Sequence, residues 1–528
     1  MKRHLILTVL FMVTTLLLRA QTASFPSIEP DAQAYTYAAL GKAGAYTWQE
    51  LAHIALWASG AEPNGAFYDR IAQGVEEFRA SALPSGTRER GDAVLSFIHK
   101  RFFKSYSLNQ TRIDTILTNG TYNCVSSAVF YLIFATSIGL DVQGVVTKDH
   151  AFILFNDGAG PIDIETTNLY GFDPGKRRDF LDNFGNVTGF AYSPPGNYRD
   201  RATISPLQLI SLIMTNRLSM ELRSNETAGL AVALNRAALL SEHSGAWPPT
   251  NLFINPQEDR ILRLLSYGSS LLKAGREEDT IRWAVLVGNR YPEEPRMADL
   301  VYAALNNLFA KLIRAGRFAD ARRILSENAL YLKTADSAKL TAMLIDGEIT
   351  GLLNRLYTLA DADNALRLIL NAEEQQVLPA RRITELRTFV ISKQAEMLFI
   401  KEDWDGGVAL LENALARYGK NAQFESNLRA FRANVVQKQA ETLLSGGDWA
   451  AAVALIEEAL ARYGRNPQLE NAIRAIKAQR VAELHNAFAA LYNAQRYDEA
   501  RSLIQQALTA FPTDRQLLQD KTLADQAR

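Results

Sequence analysis

The sequence predicts a small α+β domain near the N-terminus followed by an all-α helical-repeat arm, and three observations carry that expectation. A nearly all-apolar run from Cys124 to Ile138 is followed by short strand-like runs punctuated by glycine. From about Ile204 onward helical periodicity replaces strand alternation. Between Asp403 and Phe511 one residue pattern returns three times.

Length and composition set the bounds. At 528 residues the chain can hold two or three domains, each with its own core. A hydrophobic content of 48% and a charged content of 22% are those of a folded chain rather than a disordered one. Lys+Arg and Asp+Glu each number 57, so the net charge is zero and the basic field that nucleic acid requires is missing. No nucleic-acid partner is expected.

The first twenty residues read as a signal peptide. Lys2, Arg3 and His4 form a positive start, Leu5 to Leu18 is an almost unbroken apolar run, and Arg19-Ala20 offers a small residue for cleavage. The run is shorter than the roughly 20 residues a spanning helix needs, so cleavage near Gln21 is expected, with no stable membrane span afterwards. An uncleaved N-terminal anchor is the alternative. The expected location is therefore periplasmic or extracellular. In such a compartment Cys124, the one cysteine of the chain, cannot pair within its own chain. A lone thiol there is either buried and inert or kept for its reactivity.

Residues 21–45 are polar and mixed, a lead-in. From Thr47 to about Phe103 the spacing is helical, with Leu51, Ile54, Ala55 and Ala58 on one face and Val94, Leu95, Ile98 and Phe102 on another. Leu83-Pro84-Ser85-Gly86 breaks it into two stretches. The Cys124–Ile138 run is a helix apolar all round, hence buried on most sides, and Gly139 stops it. After Val142–Val146, the runs His150–Phe155 and Ile162–Thr166 flank a glycine-containing turn and read as a β-hairpin. A Gly/Pro/Asn-rich stretch from Phe184 to Tyr198 closes the region.

Behind it, Asp403-Trp404 to Gly419 and Asp448-Trp449 to Gly464 are nearly identical and 45 positions apart. A third copy starts at Arg496-Tyr497, and weaker ones at Arg317-Phe318, Ala362 and Gly275-Arg276. A repeat of this kind is a helix pair whose apolar face is hidden only by stacking on its neighbour, with Trp404, Trp449 and Tyr497 as wedges between pairs. The polar turn, the aromatic and the Ala-x-x-Leu-Leu/Ile-x-x-Ala-Leu run resemble the tetratricopeptide-repeat (TPR-like) class over about residues 260–515. The period of 41–48 exceeds that family's, which is about 34. The resemblance implies a helical solenoid over residues 261–528 of five or six antiparallel pairs, joined to the first domain by a helical connector at 201–260. It also implies a protein partner bound through the arm.

Cys124 opens its helix, where unpaired N–H groups and the positive end of the helix dipole stabilise a thiolate. Asn123 and Thr121 are candidate caps. His150, at the start of the first hairpin strand, is the candidate imidazole base. An acid from the adjoining strand would fix its tautomer. With the turn near Asp157–Ala159, His150 falls opposite about Glu165 or Thr166, which favours Glu165, with Asp163 as the alternate acid. His53 and His99 stand in flanking helices and read as structural. Asp173 reads as a turn residue and Lys176-Arg177-Arg178 as a solvated face.

This order of Cys-bearing helix, His-bearing strand and acid-bearing strand resembles the transglutaminase-like superfamily of papain-type folds. Gly120-x-x-x-Cys124, Gly139-Leu140, His150-Ala151 and Glu165-Thr166-Thr167 carry the resemblance, over about residues 90–175. Phe152 stands where the family commonly has Trp, and Glu165 where it usually has Asp. The resemblance implies a papain/transglutaminase-like domain over residues 21–200. It also implies acyl transfer or amide hydrolysis through Cys124, His150 and an acid, on a peptide or protein substrate and without cofactor or metal. The alternative from another class is an inactive transglutaminase-like/TPR scaffold for protein–protein interaction in the envelope.

Overall fold

The computed structural model describes residues 24–40, 45–176, 178–189, 201–243, 247–248 and 255–527. The signal segment, most of the Gly/Pro/Asn-rich closing stretch and the side chains of Lys176-Arg177-Arg178 lie outside the described residues. The chain divides into two compact units, residues 1–308 with 330–333, and residues 309–329 with 334–528. The segment expected as a connector, 201–260, falls within the first.

The first unit opens with α1 (Ala32–Leu40), α2 (Trp48–Ala58), α3 (Ala66–Ala80) and α4 (Thr87–Arg101). Then come β1 (Ser105–Tyr106), α5 (Ile113–Asn119), β2 (Thr121–Tyr122) and α6 (Cys124–Ser137). The main sheet has β3 (Val142–Val146), β4 (Ala151–Asn156), β5 (Pro161–Ile164) and, after α7 (Arg178–Thr188), β6 (Ala202–Ile204). Helices α8 (Pro206–Ser224), α9 (Glu226–Leu239), α10 (Pro256–Lys273) and α11 (Glu277–Arg290) follow. The lead-in is thus partly helical: Ala34, Tyr37 and Ala38 of α1 are buried, and α1 packs on α9. The helical stretch from Thr47 holds three helices rather than two, because a second break falls at Gly60–Gly65.

Helix α6 organises this unit. Its first twelve residues, Cys124 to Ala135, are all buried, as a helix without a polar face must be. Asn123 and Ser126 form a reciprocal cap: the Asn123 side chain accepts from Ser126 N at 3.0 Å, and the Ser126 hydroxyl accepts from Asn123 N at 2.9 Å. At the other end Gly139 takes φ +71 while Leu140 N returns to the Ala135 carbonyl, a left-handed ending suited to glycine. Thr121 does not cap; it pairs with Ser105 in the parallel β1–β2 ribbon. Phe130 and Phe134 of α6 and Phe102 have ring centroids within 5.1–5.7 Å of one another, edge-on or tilted. Each such buried side chain stabilises the core by about 1.5–3 kcal/mol.

The main sheet has the order β5-β4-β3-β6, antiparallel throughout, and α6 packs across β3 and β4. Its edge strand β6 follows α7 and is only three residues long, too short to leave a periodic signal in the sequence.

In the second unit every element from Phe318 on is helical: α13 (Phe318–Asn328), α14 (Thr334–Leu353), α15 (Leu359–Glu374), α16 (Ala380–Ile400), α17 (Trp404–Tyr418), α18 (Ala422–Ser445), α19 (Trp449–Tyr463), α20 (Pro467–Asn493), α21 (Tyr497–Ala510) and α22 (Arg515–Gln526). Helix α12 (Arg296–Arg314) spans the division between the units. First helices of successive pairs in this unit start at Phe318, Leu359, Trp404, Trp449 and Tyr497, in the expected period. Asp403 and Asp448 cap α17 and α19 by accepting from Gly406 N and Ala451 N. The expected wedges are half-buried. Trp404 packs edge-on to Phe399 at 4.7 Å, and Trp449 meets Phe511 at 5.1 Å.

The repeats also compensate internally. Gly407 lies under the Phe431 ring so closely that a Cβ there would overlap it. One repeat later the same two positions are Ala452 and Ile476. Gly407→Ala should therefore destabilise by about 1–3 kcal/mol, the usual cost of overpacking. Adding Phe431→Ile should recover most of it in urea melts. Equal midpoints for wild type and Gly407→Ala would show that the ring has room to move.

Candidate active site

Three elements bring the sequence-predicted residues together. Cys124 is the first helical residue of α6, held there by the Asn123 cap, whose Nδ2 also donates to the Leu108 carbonyl at 3.1 Å. His150 ends the β3–β4 turn, where its carbonyl accepts from Thr147 N at 2.9 Å. Glu165 follows β5, and its Oε2 lies 2.6 Å from His150 Nε2. The cross-strand register pairs Ile153 with Ile164 and Leu154 with Asp163. His150 is thus not directly opposite Glu165. The acid reaches the ring because the chain leaves the strand after Ile164 in a tight loop.

That loop is closed by backbone bonds. Glu165 N donates to the Gly171 carbonyl at 2.8 Å, and Gly171 N to the Asn168 carbonyl at 3.0 Å. Gly171 approaches so closely that a Cβ would overlap the Glu165 carbonyl oxygen, a backbone atom with no room to yield. Gly171→Ala should lower stability by about 3 kcal/mol, the upper range for single substitutions. An unfolding midpoint within error of wild type would show that the close approach is dispensable.

Three side chains from below clamp the segment after the acid. His99 Nε2 contacts the Thr166 carbonyl at 3.0 Å, the Tyr122 hydroxyl donates to the Thr167 carbonyl at 3.1 Å, and Ser127 bonds Thr166 Oγ1 at 2.8 Å. Glu165 Oε1 accepts from Thr167 N at 3.2 Å and Thr167 Oγ1 at 2.6 Å. With both oxygens engaged, the 4% exposed Glu165 is held in one rotamer.

The electrostatics follow. Burial alone would lower the His150 pKa; the Glu165 charge, hydrogen bonds to Cys124 and Glu165, and the Cys124 charge outweigh it and hold the ring well above its ordinary 6.5. Burial would raise Glu165, but the His150 charge and hydrogen bonds from His150 and Thr167 keep its carboxyl below the ordinary range. Glu165 and His150 therefore form an ion pair across neutral pH. Since Nε2 is engaged by Glu165, Nδ1 is the nitrogen left to exchange a proton with the Cys124 sulfur. The imidazole side chain is 20% exposed, and Cys124 is 7% exposed.

The alternate acid is occupied elsewhere. Asp163 forms a bidentate pair with Arg201, with Nη1 to Oδ2 at 2.8 Å. Arg201 in turn lies 5.2 Å over the Phe152 ring, which stacks beside His150 at 6.0 Å. So Glu165 takes the ring nitrogen, and Asp163 braces the ring's neighbour. Asp173 adopts the left-handed region at φ +51, as a turn residue can, and also pairs with Arg88. His53 packs its ring on Tyr68 at 4.3 Å.

The clamp residues Tyr122, Ser127 and His99 were not legible as site residues. Of their surroundings the sequence marks Asn123, as a candidate cap. Among the described residues no group of three or more His, Cys, Asp or Glu is placed to hold a metal, and no helix is long and apolar enough to cross a membrane. Compared with known proteins, the sequence matches no family model and no curated sequence.

Proposed function

We propose that the chain is an exported transglutaminase-like cysteine enzyme that hydrolyses or transfers an acyl group at a peptide or amide bond, with a TPR-like arm that binds protein. The observation that carries this reading is the His150–Glu165 pair at 2.6 Å, on an imidazole whose pKa is raised in part by Cys124 at the head of a capped helix. In this reading the Cys124 thiolate attacks the carbonyl carbon, and the carbonyl electron pair moves to oxygen. On collapse the C–N bond breaks and the His150 imidazolium proton passes to the leaving amine. Water or a second amine then attacks the thioester and gives its proton to His150. Collapse expels the Cys124 thiolate and restores the ion pair. Glu165 stays ionised throughout and holds the ring. The α+β layout of α6 against the antiparallel sheet supports a papain-type domain, and the five helix pairs of the second unit support the arm.

One observation favours the scaffold reading instead: Cys124 belongs to the hydrophobic core of its unit, where a cysteine is usually a small inert hydrophobe. Labelling separates the two. The enzyme reading expects the folded protein to be alkylated by iodoacetamide at neutral pH, on Cys124, within minutes. A thiol that reacts only after unfolding in urea makes the domain a scaffold.

A further inference from the structure

We propose that the Tyr106 hydroxyl donates a hydrogen bond to the substrate carbonyl oxygen as Cys124 attacks, which makes Tyr106 the oxyanion donor of the site. This rests on the acyl-transfer reading above and assigns a residue to the one charge which that reading leaves unmet, the oxygen of the tetrahedral intermediate.

The geometry begins with the β1–β2 ribbon. Tyr106 pairs in register with Tyr122, two residues before Cys124, and paired residues of a parallel ladder put their side chains on the same face. Tyr122 points toward the acid segment, since its hydroxyl reaches the Thr167 carbonyl. Tyr106 must point the same way, and its ring stands edge-on to Tyr122 at 6.0 Å. Further bonds hold the segment 105–110 against the start of α6. Ser107 N donates to the Tyr122 carbonyl at 2.8 Å, Asn123 Nδ2 to the Leu108 carbonyl, and the Ser126 hydroxyl to the Gln110 carbonyl at 3.2 Å. The Tyr122 hydroxyl is used up; the Tyr106 hydroxyl has no hydrogen-bond partner among the described residues.

Chemistry agrees with placement. Burial, then the charges of Cys124 and Glu165, hold the Tyr106 hydroxyl above its usual value of 10. It therefore stays protonated and can only donate to an anion beside it. When sulfur adds to the carbonyl carbon, the new O⁻ accepts the Tyr106 O–H; the proton remains on Tyr106. When the C=O re-forms and the leaving group departs, that bond weakens again. A donor whose bond strengthens only in the transition state speeds the chemistry rather than binding.

Two reagents separate this role from the rest of the site. Acylation of Cys124 by p-nitrophenyl acetate passes through a tetrahedral oxyanion, whereas alkylation by iodoacetamide displaces iodide and forms none. In Tyr106→Phe the nitrophenolate burst should slow on the order of 100-fold, as for loss of one oxyanion donor, while alkylation stays within about twofold of wild type. In His150→Ala both rates should fall. An acylation rate in Tyr106→Phe equal to wild type would overturn the assignment. So would a parallel loss of both rates, which would make Tyr106 a support for the thiol. A wild-type protein that neither reagent modifies would instead overturn the acyl-transfer reading, and this inference with it.

Discussion

Replacing His150 by alanine lowers the rate of Cys124 alkylation at pH 6.5 by about 100-fold, within the range that a positioned acid–base group supplies. Glu165→Gln, which keeps the shape and removes the charge, lowers it by about tenfold, because the acid acts one step away through the ring. The order of the two effects matters more than their size. The ring is held protonated above its ordinary range by Glu165 and by Cys124 itself. The carboxylate contributes only by holding that ring. Alkylation rates of the three proteins, alongside urea midpoints showing that each is folded, test the expectation. Equal rates in all three would place the pair in a structural role.

The second large effect is on stability and comes from His99. Burial pushes its pKa down to about 4, against smaller raising contributions from the Thr166 carbonyl and the Glu165 charge. Its ring is therefore neutral when folded, and Nε2 carries the proton it donates to Thr166. In the unfolded chain His99 takes up a proton below about 6.5, while the folded chain refuses it until about 4. Stability is thus lost as pH falls through that window, by about 3 kcal/mol at roughly 1.4 kcal/mol per unit. A raised His150 adds stability as pH falls towards 6.5 and contributes fully below it, while a lowered Glu165 contributes until pH falls below about 4.5. His99→Gln keeps both groups, so its comparison with wild type isolates the His99 loss. Urea melts at pH 7.5 and pH 5 should show the steeper loss in wild type than in His99→Gln. Parallel losses would show that another group carries the acid sensitivity.

Much of this architecture was legible in the residues. The all-round apolar character of Val125–Ala135 dictates a buried helix, and the Trp404/Trp449 repeat dictates helix pairs. The sites where reading failed share a physical cause. Glu165 meets His150 through a loop closed by Gly171, not through strand register, so counting across the hairpin points to a contact that the register itself does not make. Asp163 looked eligible by spacing and lost because Arg201, 38 residues on, claims it. Strand β6 and helix α1 are defined by tertiary burial, which segments this short do not announce. Tyr106, Tyr122 and His99 reach the site from three separate elements, and no local pattern links them.

The central claim is that Cys124 forms a thioester. It is tested most directly by the intact mass of the folded protein after brief exposure to p-nitrophenyl acetate, followed by peptide mapping. The expected result is one acetyl group per chain, on Cys124, lost again on adding an aqueous amine and formed far more slowly in His150→Ala. A folded protein whose mass is unchanged, while its urea-unfolded form reacts at the same cysteine, would contradict the claim.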